Sequence, residues 1–400
     1  MISFNDAYQL TLEHIQPLAV ETVELLTASE RIAGQDFLSR VDTPSLDVSL
    51  KDGYAILAAD VYNASPESPV KLNLVGSIAA GGNWQGILCS GDAVRILSGA
   101  PLPQGADAVV AEEFTHALPE AIQVMKHAEP GRNILRQGAD IQAGQLIVPS
   151  GQRLYPTAIG LLAAGGYHEV QVIRRPHVAI LATGDEVLAP GQPLVQGKLY
   201  ASNLFTLAAW CLHFGFEVET FVLRDDANTI RSVLITCLEQ FDAVLTSGGA
   251  WKGEHDLVVQ ILDALGWQKI YHRVRMGPGK AVGFGLFQNK PVFCLPGGPS
   301  SNHMAFVQLG LPGLQKLAGE PKPGLHQVPA VMAETISGQV DWTQFIHGRL
   351  VQENQRLLFQ PLKCQSRLKE IAHTEAIAKI PEGVDEISAN KSVMVQILTN

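Results

Sequence analysis

Six carboxylates follow predicted buried strands between residues 177 and 300. These are Asp185, Glu186, Asp225, Asp226, Glu254 and Asp256. Carboxylates at close range repel one another unless a cation joins them, and magnesium binds through one or two carboxylates together with substrate oxygens. The pattern therefore predicts a magnesium site. The alternative stays open that Asp226 is only a helix N-cap and Glu254 a solvated turn residue.

Glycine-rich turns lie beside these carboxylates. Ser247, Gly248 and Gly249 follow the third strand, and the segment PGGPSS (296–301) leads into a helix N-terminus. Both segments can present backbone N–H groups to an anion, and Lys280 of GPGK adds a point charge suited to phosphate. A phosphate-binding function and a role as simple tight turns are both consistent with these glycines.

Two reactive residue types in the same region receive structural interpretations. His255 sits in a polar loop, where an exposed histidine is commoner than a ligand or a proton relay. Cys294 lies between Phe293 and Leu295, a setting typical of a packed thiol and not of a nucleophile. The spacing suggests no Ser/His/Asp constellation. Chemistry is therefore expected from carboxylates, backbone amides and Lys280.

The elements that hold these loops alternate between strand and helix. Apolar runs predict buried strands at 177–182, 216–223, 243–247 and 291–295. Helical patterns occur at 202–214, after Asp226, at 257–265 and at 300–318, and a hairpin-like pair runs through 269–287. Ligands bind beyond the carboxyl ends of parallel strands. If the strands are parallel, all the loops that carry these residues lie on one rim.

Outside this α/β core the sequence predicts β-rich modules. Apolar residues at helical spacing behind Ser3 predict one N-terminal helix that ends before Pro17. From about 32 to 176, short apolar runs broken by Gly, Pro, Asn and Asp indicate short strands, with a short helix at 156–164. Residues from about 325 to 400 predict a small β domain without strong helices.

Composition excludes several classes of partner. The 400-residue chain carries a net charge of −10, with 46% hydrophobic and 6% aromatic residues. That charge repels a phosphate backbone and few rings are available for stacking on bases, so no nucleic-acid partner is expected. Residues 1–8 resemble neither a signal peptide nor a membrane anchor, and the 5 widely spaced cysteines suggest neither zinc nor disulfides. We expect a cytoplasmic protein without membrane contact.

Eight segments occur in an order that resembles the molybdopterin molybdenumtransferase (MoeA) family, including the E domain of gephyrin. They are KDGYA (51–55), SGAPLPQGADAVV, GRNILRQGADI, TGDEV, RDD, TSGGA with GEHD, GPGK and LPGGPSS. The resemblance is clearest from about 30 to 320 and poor beyond. It implies a multidomain α/β and β fold, in which a doubly wound molybdopterin-binding α/β domain is combined with N-terminal β-rich modules and a small C-terminal β domain.

The resemblance also implies domain boundaries and an assembly. The expected parts are an elongated N-terminal domain (1–45 with 137–176), a β-rich domain (46–136), the molybdopterin-binding domain (177–320) and the C-terminal β domain (321–400). In such enzymes a β domain near KDGYA reaches toward the doubly wound domain of the other subunit. The implied protein is a homodimer with a shared active site.

The activity implied by the resemblance belongs to molybdenum cofactor biosynthesis. A transferase inserts molybdate into adenylylated molybdopterin with magnesium-dependent release of AMP; an adenylyltransferase acts upstream and molybdoenzymes receive the product. The implied catalytic residues are Asp52, Asp140, Glu186, Asp226 and Asp256. The implied metal ligands are Glu186, Asp225, Asp226 and Asp256. The implied substrate-binding residues are Ser98, Thr183, Gly184, Ser247, Gly248, Gly249, Gly279, Lys280, Pro296, Gly297, Pro299 and Ser300.

Some positions depart from the family pattern. The first lysine of the family's KPGK is replaced by Gly277, which removes a cation, and a lost charge-assisted contact costs about 1.5–3 kcal/mol. Arg273 or Arg275 is a candidate replacement, since arginine binds oxyanions bidentately. The other departures are Lys51 for methionine, Ser98 for threonine, Gly298 for the asparagine of PGNP, and SGGAW with GEHDL in the third loop.

Three functions from different classes follow from this pattern. The first is an active molybdenum insertase with a retuned pocket. The second is a non-catalytic relative that binds molybdopterin as a chaperone or scaffold, motivated by Gly277 and Gly298. The third is an adenylyltransferase of the wider molybdopterin-binding class, which would lack the N-terminal β modules. The retained acidic residues favour the insertase, because a binding protein needs no magnesium cluster.

Overall fold

The computed structural model describes residues 1–248, 257–353, 355–363 and 368–398. The chain forms two compact units, one made of Met1–Glu21 with Ile173–Asn400 and one of Thr22–Val172. Within the described ranges, no helix has the length and apolar character needed to cross a membrane. The finer division into four domains stays a prediction.

A six-stranded sheet forms the β-rich part of the unit Thr22–Val172. Its strands, in spatial order, are Ala108–Ala111, Gly53–Ile56, Asp92–Ile96, Val70–Ile78, Ala121–Val124 and Thr115–Ala117. Tyr54 and Ile56 pack into one hydrophobic cluster and Ala55 into another. Successive side chains of a strand point to opposite faces, so the strand Gly53–Ile56 packs against a hydrophobic cluster on each face of the sheet.

The rest of this unit joins two stretches that are distant in sequence. Three two-stranded sheets pair Val20–Glu24 with Glu169–Ile173, Phe37–Leu38 with Leu146–Val148, and Val48–Ser49 with Ile134–Leu135. The helix Pro156–Ala164 covers a cluster that contains the buried side chains of Phe37 and Leu162. Short 3₁₀ helices lie at Leu25–Ala28, Ala58–Val61 and Glu112–Phe114. The predicted short helix is confirmed.

The other unit is built around a second six-stranded sheet, named here the central sheet. Its spatial order is Glu217–Leu223, His177–Thr183, Ala243–Ser247, Lys290–Leu295, Gly283–Phe287 and Gln268–His272. The first four strands are parallel to one another and the last two join antiparallel. The inner strands are buried at almost every position because helices cover both faces, which explains their continuous apolar runs.

Helices cover the two faces of the central sheet in the alternation that the sequence predicts. One face packs against Phe4–His14, Ser202–His213 and the helical stretch 299–317, and the other against Ala227–Gln240 and Leu257–Leu265. Ser3 caps the first helix by accepting the N–H of Asp6, and Asp226 caps Ala227–Gln240 by accepting that of Thr229. Both predicted N-caps are confirmed, so these helix starts are local properties of the sequence.

The helix predicted at 300–318 is a composite. It begins as Pro299–Ala305, continues as the π turn Phe306–Gly310 and ends as Leu311–Leu317. Pro312 has no N–H to donate to the preceding turn, and the wider π turn lies directly before it. The extent of this helix was predictable and its π turn was not.

A seven-stranded sheet contains the C-terminal segment and two strands from elsewhere. The spatial order is Ile2–Ser3, Val274–Gly277, Thr343–Glu353, Arg356–Pro361, Gln327–Met332, Ser392–Ile397 and Ala376–Ile380. Small pairs lie at Ile336–Ser337 with Glu386–Ile387 and at Val187–Leu188 with Leu199–Tyr200; a 3₁₀ turn spans Ile371–His373.

The hairpin-like pair predicted through 269–287 needs a correction. Gln268–His272 does pair antiparallel with Gly283–Phe287. The segment between them, Val274–Gly277, leaves the central sheet and pairs parallel with Thr343–Glu353. A strand partner 67 residues away in sequence carries no local signal, so the pattern of apolar residues did not predict this crossover.

Candidate functional site

The predicted loops do lie at one edge of the central sheet. Thr183 pairs with Leu223, and Ser247 pairs with Leu295, in parallel register. The ends of the four parallel strands are therefore level. We name this edge the rim, and it comprises the described residues 183–186, 224–226, 247–248 and 296–301. The prediction that parallel strands bring these loops together is confirmed.

Bare backbone lines the centre of the rim. A Cβ on Gly248 would lie 2.9 Å from the carbonyl oxygen of Thr183, and the φ of Gly248 is +99°. A Cβ on Gly297 would lie 3.7 Å from the Cα of Gly248. The loops after three strands thus meet at van der Waals distance. Gly248 adopts a conformation that L-residues rarely adopt, so glycine is required there for both reasons.

Two asparagines that the sequence interpretation missed tie these loops together. The side-chain amide of Asn302 donates to Ser247 Oγ at 3.0 Å and to the carbonyl of Pro296 at 2.8 Å. That of Asn203 donates to Ser247 Oγ at 3.3 Å and to the carbonyl of Gly297 at 2.8 Å. Asparagine is a poor helix former, so its presence in the first turns of two helices was the available signal.

The GPGK segment packs against the helix that begins at Pro299. A Cβ on Gly279 would lie 3.4 Å from the carbonyl oxygen of Ser301 and 3.3 Å from the amide nitrogen of Ala305. The ammonium nitrogen of Lys280 lies 5.0 Å from the centroid of the Trp342 ring, at cation–π distance. The predicted phosphate-binding segments GPGK and PGGPSS are therefore neighbours, with Ser300 in the first turn of that helix.

Gly277 and Gly298, which replace the lysine and the asparagine of the family pattern, both face open space. A Cβ on Gly277 or on Gly298 would meet no heavy atom of the described residues within 4 Å. The Arg275 guanidinium forms two hydrogen bonds to Glu382, at 3.3 and 3.2 Å, and this contact raises the pKa of Arg275. Arg275 therefore already has a carboxylate partner, which weakens the expectation that it replaces the missing lysine. Longer side chains therefore fit at both glycines.

The described carboxylates of the rim are exposed and close together. The backbone N–H of Asp225 donates to Asp185 Oδ1 at 3.3 Å. Partial burial raises the pKa of Asp225, and the negative charges of Asp185 and Glu186 raise it further. Asp226 differs, because hydrogen bonding to Thr229 lowers the pKa of its carboxyl group. Asp185, Glu186 and Asp225 thus form a repelling group, whereas Asp226 acts as a cap.

The predicted metal site is only partly covered by the described residues. Within these ranges, no group of three His, Cys, Asp or Glu side chains is arranged to hold a metal ion. Gly249, Glu254, His255 and Asp256 lie outside the described residues. The crowded carboxylates do fit the way magnesium is usually bound, through one or two carboxylates with the remaining oxygens supplied by the ligand and water.

A cation that the sequence interpretation missed also lies at the rim. The ammonium group of Lys198 donates a hydrogen bond to the backbone carbonyl of Asp185. Lys198 directly precedes the short strand Leu199–Tyr200, whose partner Val187–Leu188 follows the TGDE loop. This pairing brings the ammonium group to the backbone of the TGDE loop. Exposed lysines are common in any sequence, so nothing distinguished Lys198 beforehand.

Two of the three predicted residues of the unit Thr22–Val172 are in contact. Asp52 Oδ1 accepts the backbone N–H of Ser98 at 2.6 Å. The loop that contains Asp140 is held to the segment 42–47, because the N–H of Asp140 donates to the carbonyl of Thr43 at 3.0 Å. Hydrogen bonds lower the pKa of Asp47, with the N–H of Gln137 as the main donor. The structure thus brings Asp52 and Ser98 into contact.

Cysteines and histidines near the central sheet are packing residues. Burial raises the pKa of Cys211 to about 12, and Cys294 is 0% exposed, as expected for packed thiols. Burial also lowers the pKa of His303 to about 3 and that of His347 to about 4. The indole N–H of Trp210 donates to His303 Nε2 at 3.2 Å. The prediction that Cys294 is a packed side chain is confirmed.

Known families match both parts of this architecture. The model of the MoeA N-terminal region (domain I and II) matches residues 2–166, and that of a probable molybdopterin binding domain matches residues 179–316. The second match contains the whole rim and all of the central sheet except its first two residues. The fold and the rim are therefore those of a protein that combines a MoeA N-terminal region with a molybdopterin-binding domain.

Full-length relatives narrow the class further. The chain is 30% identical over 405 aligned positions to molybdopterin molybdenumtransferase 2 of Mycobacterium tuberculosis (strain H37Rv), covering 100% of both chains. It is 32% identical to the molybdopterin molybdenumtransferase of a Nostoc species, over 94% of this chain and 88% of the relative. The crystal structure of a molybdopterin biosynthesis MoeA protein from Pyrococcus horikosii superposes with a TM-score of 0.86 at 31% identity over 100% of both chains. The chain belongs to the molybdopterin molybdenumtransferase (MoeA) family.

Proposed function

We propose that this protein is a molybdopterin molybdenumtransferase that inserts molybdate into adenylylated molybdopterin and releases AMP. The observation that carries the proposal is that Gly248, Gly297 and Gly279 lie close to the helix that begins at Pro299 or to the turn before it, with Lys280 directly after Gly279. The M. tuberculosis and Nostoc relatives carry the name of this activity. The substrates are thus molybdate and a pterin that bears a phosphoanhydride.

The chemistry of this reaction suits the groups at the rim. Cleavage of a phosphoanhydride depends on positioning and charge neutralisation more than on a covalent nucleophile. Backbone N–H groups of glycine-rich turns and a helix start bind phosphate, and Lys280 contributes a positive charge. The absence of a reactive thiol at Cys294 and Cys211 agrees with a mechanism that needs no covalent intermediate on cysteine.

The proposed cofactor is magnesium, held by the acidic side of the rim. Glu186, Asp225, Asp226 and Asp256 are the proposed ligands, with Asp185 close enough to Asp225 to share that role. When bound, magnesium supplies positive charge that neutralises the phosphate oxygens. The chain's own residues are responsible for orienting these oxygens and for holding the carboxylates at close range.

We also propose a cytoplasmic homodimer with a shared active site. Asp52, Ser98 and Asp140 lie in the unit Thr22–Val172, whereas the rim belongs to the other unit. A second subunit can supply the Asp52 group to the rim of the first. The upstream partner is an adenylyltransferase and the downstream partners are molybdoenzymes.

The test is AMP release by the purified full-length protein. Adenylylated molybdopterin is incubated with molybdate and magnesium, and AMP is quantified by chromatography; omission of magnesium or molybdate provides the matched controls. We expect release that requires both. Release that persists without molybdate, or no release under any condition, contradicts the transferase assignment.

A second function is favoured by the two open glycine positions. Gly277 and Gly298 leave space where the family has a lysine and an asparagine, so two polar contacts to an anion are lost. A relative that binds molybdopterin as a chaperone or scaffold tolerates this loss. Tight binding of molybdopterin without AMP release in the same assay supports this function over the transferase.

A further inference from the structure

Ser247 lies in the middle of the rim with only part of its hydrogen-bonding capacity used. Its Oγ accepts the side-chain N–H groups of Asn302 at 3.0 Å and of Asn203 at 3.3 Å. The residue is 5% exposed. A hydroxyl group has two acceptor lone pairs and one donor proton. Both acceptor positions of Ser247 are therefore occupied, and only its proton remains.

The orientation of the two amides is fixed by backbone carbonyls. The same nitrogen of Asn302 donates to the carbonyl of Pro296 at 2.8 Å, and that of Asn203 to the carbonyl of Gly297 at 2.8 Å. A carbonyl oxygen only accepts, so each amide must turn its NH₂ group, and not its oxygen, toward this corner. Neither asparagine can accept the proton of Ser247.

Within the described residues, Ser247 Oγ has no acceptor for its proton. A buried donor without an acceptor is unfavourable, because it has lost its hydrogen bond to water. Gly248, directly after Ser247, and Gly297 have no side chains that could shield the corner, and a Cβ on Gly297 would lie 3.7 Å from the Cα of Gly248. A ligand oxygen at the rim would supply the acceptor that the Ser247 hydroxyl lacks.

We infer that Asn203 and Asn302 are positioning residues that hold the Ser247 hydroxyl as a donor to an anionic oxygen of a tetrahedral oxyanion. This inference rests on the proposed function and extends it to two residues outside the family-derived site. The oxyanion is either the phosphate group of the adenylylated pterin or molybdate, which share this chemistry. A donor that is oriented before the ligand arrives requires no reorganisation on binding.

The experiment is a double-mutant cycle on the full-length protein. AMP and sodium molybdate are titrated separately by calorimetry into the wild type, Ser247→Ala, Asn203→Ala and the double variant. We expect Ser247→Ala to weaken binding of one probe about tenfold, and Asn203→Ala to weaken it about fivefold. In the Ser247→Ala background, Asn203→Ala should change affinity less than about twofold, because its effect passes through the hydroxyl.

The cycle separates positioning from a purely structural role. Equal losses from Asn203→Ala in both backgrounds overturn the inference, since they mean that the amide only supports Gly297. The probe that loses affinity identifies the oxyanion. Asn203 is the primary position because Asn302 is 1% exposed and its replacement threatens the fold; Asn302→Ala is included with a thermal melt.

Two further outcomes distinguish this inference from the proposed function. Thr206→Val, one turn along the same helix, loses a hydroxyl that donates to the Ser202 carbonyl and should leave both affinities unchanged. Wild-type protein that binds neither probe contradicts the proposed function and the inference together. Wild-type binding that Ser247→Ala does not alter overturns the inference alone.

Discussion

The two halves of the rim differ in the interactions that hold their residues in place. The glycine half, with Ser247, Gly248 and Gly297, is tied by four hydrogen bonds from Asn203 and Asn302. The carboxylate half, with Asp185, Glu186, Asp225 and Asp226, is exposed, and the negative charges of Asp185, Glu186 and Asp225 repel one another. Hydrogen-bond donors can be fixed in position before an anion binds. Carboxylates that lie close together repel one another until a cation binds between them. The difference suggests that the glycine half is preorganised and that the carboxylate half is completed by its ligands.

The largest expected effect comes from disrupting the glycine half at Gly248. Gly248→Ala places a methyl group 2.9 Å from the Thr183 carbonyl at a φ of +99°. Strain and overpacking should lower the free energy of unfolding by about 2–4 kcal/mol. We expect a lower midpoint in urea denaturation and loss of AMP binding by calorimetry.

Gly277→Ala is the matched control for this change. Its Cβ meets no described atom within 4 Å, so stability should stay within about 0.5 kcal/mol of the wild type. If Gly248→Ala is as stable as Gly277→Ala and binds AMP normally, the glycine half is not preorganised and the contrast between the two halves fails.

The second prediction concerns the carboxylate half. Asp226→Asn retains the helix N-cap, since asparagine caps as well as aspartate, but removes the charge. We expect magnesium-dependent AMP release to fall by at least about tenfold, as for a lost charge-assisted contact, while the thermal midpoint is unchanged. Asp225→Asn should lower release similarly, and it relieves repulsion with Asp185 and Glu186.

Asp263→Asn, which removes an exposed carboxylate that pairs with Lys269 away from the rim, serves as the charge control. Normal magnesium-dependent release by both Asp226→Asn and Asp225→Asn contradicts the metal assignment. If Asp226→Asn lowers the thermal midpoint but leaves magnesium-dependent AMP release unchanged, Asp226 is only a cap.

The third prediction adds a cation at the start of the GPGK segment. Gly277→Lys fills open space and restores a charge where the family has one, so affinity for AMP or molybdate should increase about tenfold. Gly277→Gln, of similar length and without charge, should have little effect. Equal affinities for the wild type and the lysine variant show that position 277 does not face the anion.

The last prediction is a pH dependence that arises from two buried histidines near the glycine half. Burial lowers the pKa of His303 to about 3 and of His347 to about 4, from about 6.5 in the unfolded chain. As the pH falls below about 6.5, the unfolded chain binds protons that the folded chain does not. The free energy of unfolding should therefore fall by about 1.4 kcal/mol per pH unit for each histidine, and it is fully retained above pH 6.5.

Urea denaturation between pH 5.5 and 8 measures this slope. His347→Gln should roughly halve the slope, because one of the two buried groups no longer titrates. His168→Gln provides the control, since that ring is 85% exposed. An unchanged slope in His347→Gln shows that the buried histidines do not determine the pH dependence.

The sequence by itself determined the elements whose causes are local. The apolar runs predicted the parallel strands, Ser3 and Asp226 were recognised as N-caps, and the order of the loops predicted that they share one edge. Buried strands and caps depend on residues within a few positions of one another, which a single sequence records directly. The family resemblance also depended on short contiguous segments.

Only the tertiary structure decided which distant groups meet. Asn203 and Asn302 converge on Ser247, Arg275 pairs with Glu382, and Val274–Gly277 leaves the central sheet for Thr343–Glu353. Each partner lies tens of residues away, and its selection depends on how whole elements pack. A side-chain amide or guanidinium satisfies any acceptor within reach, so its residue type alone does not identify its partner.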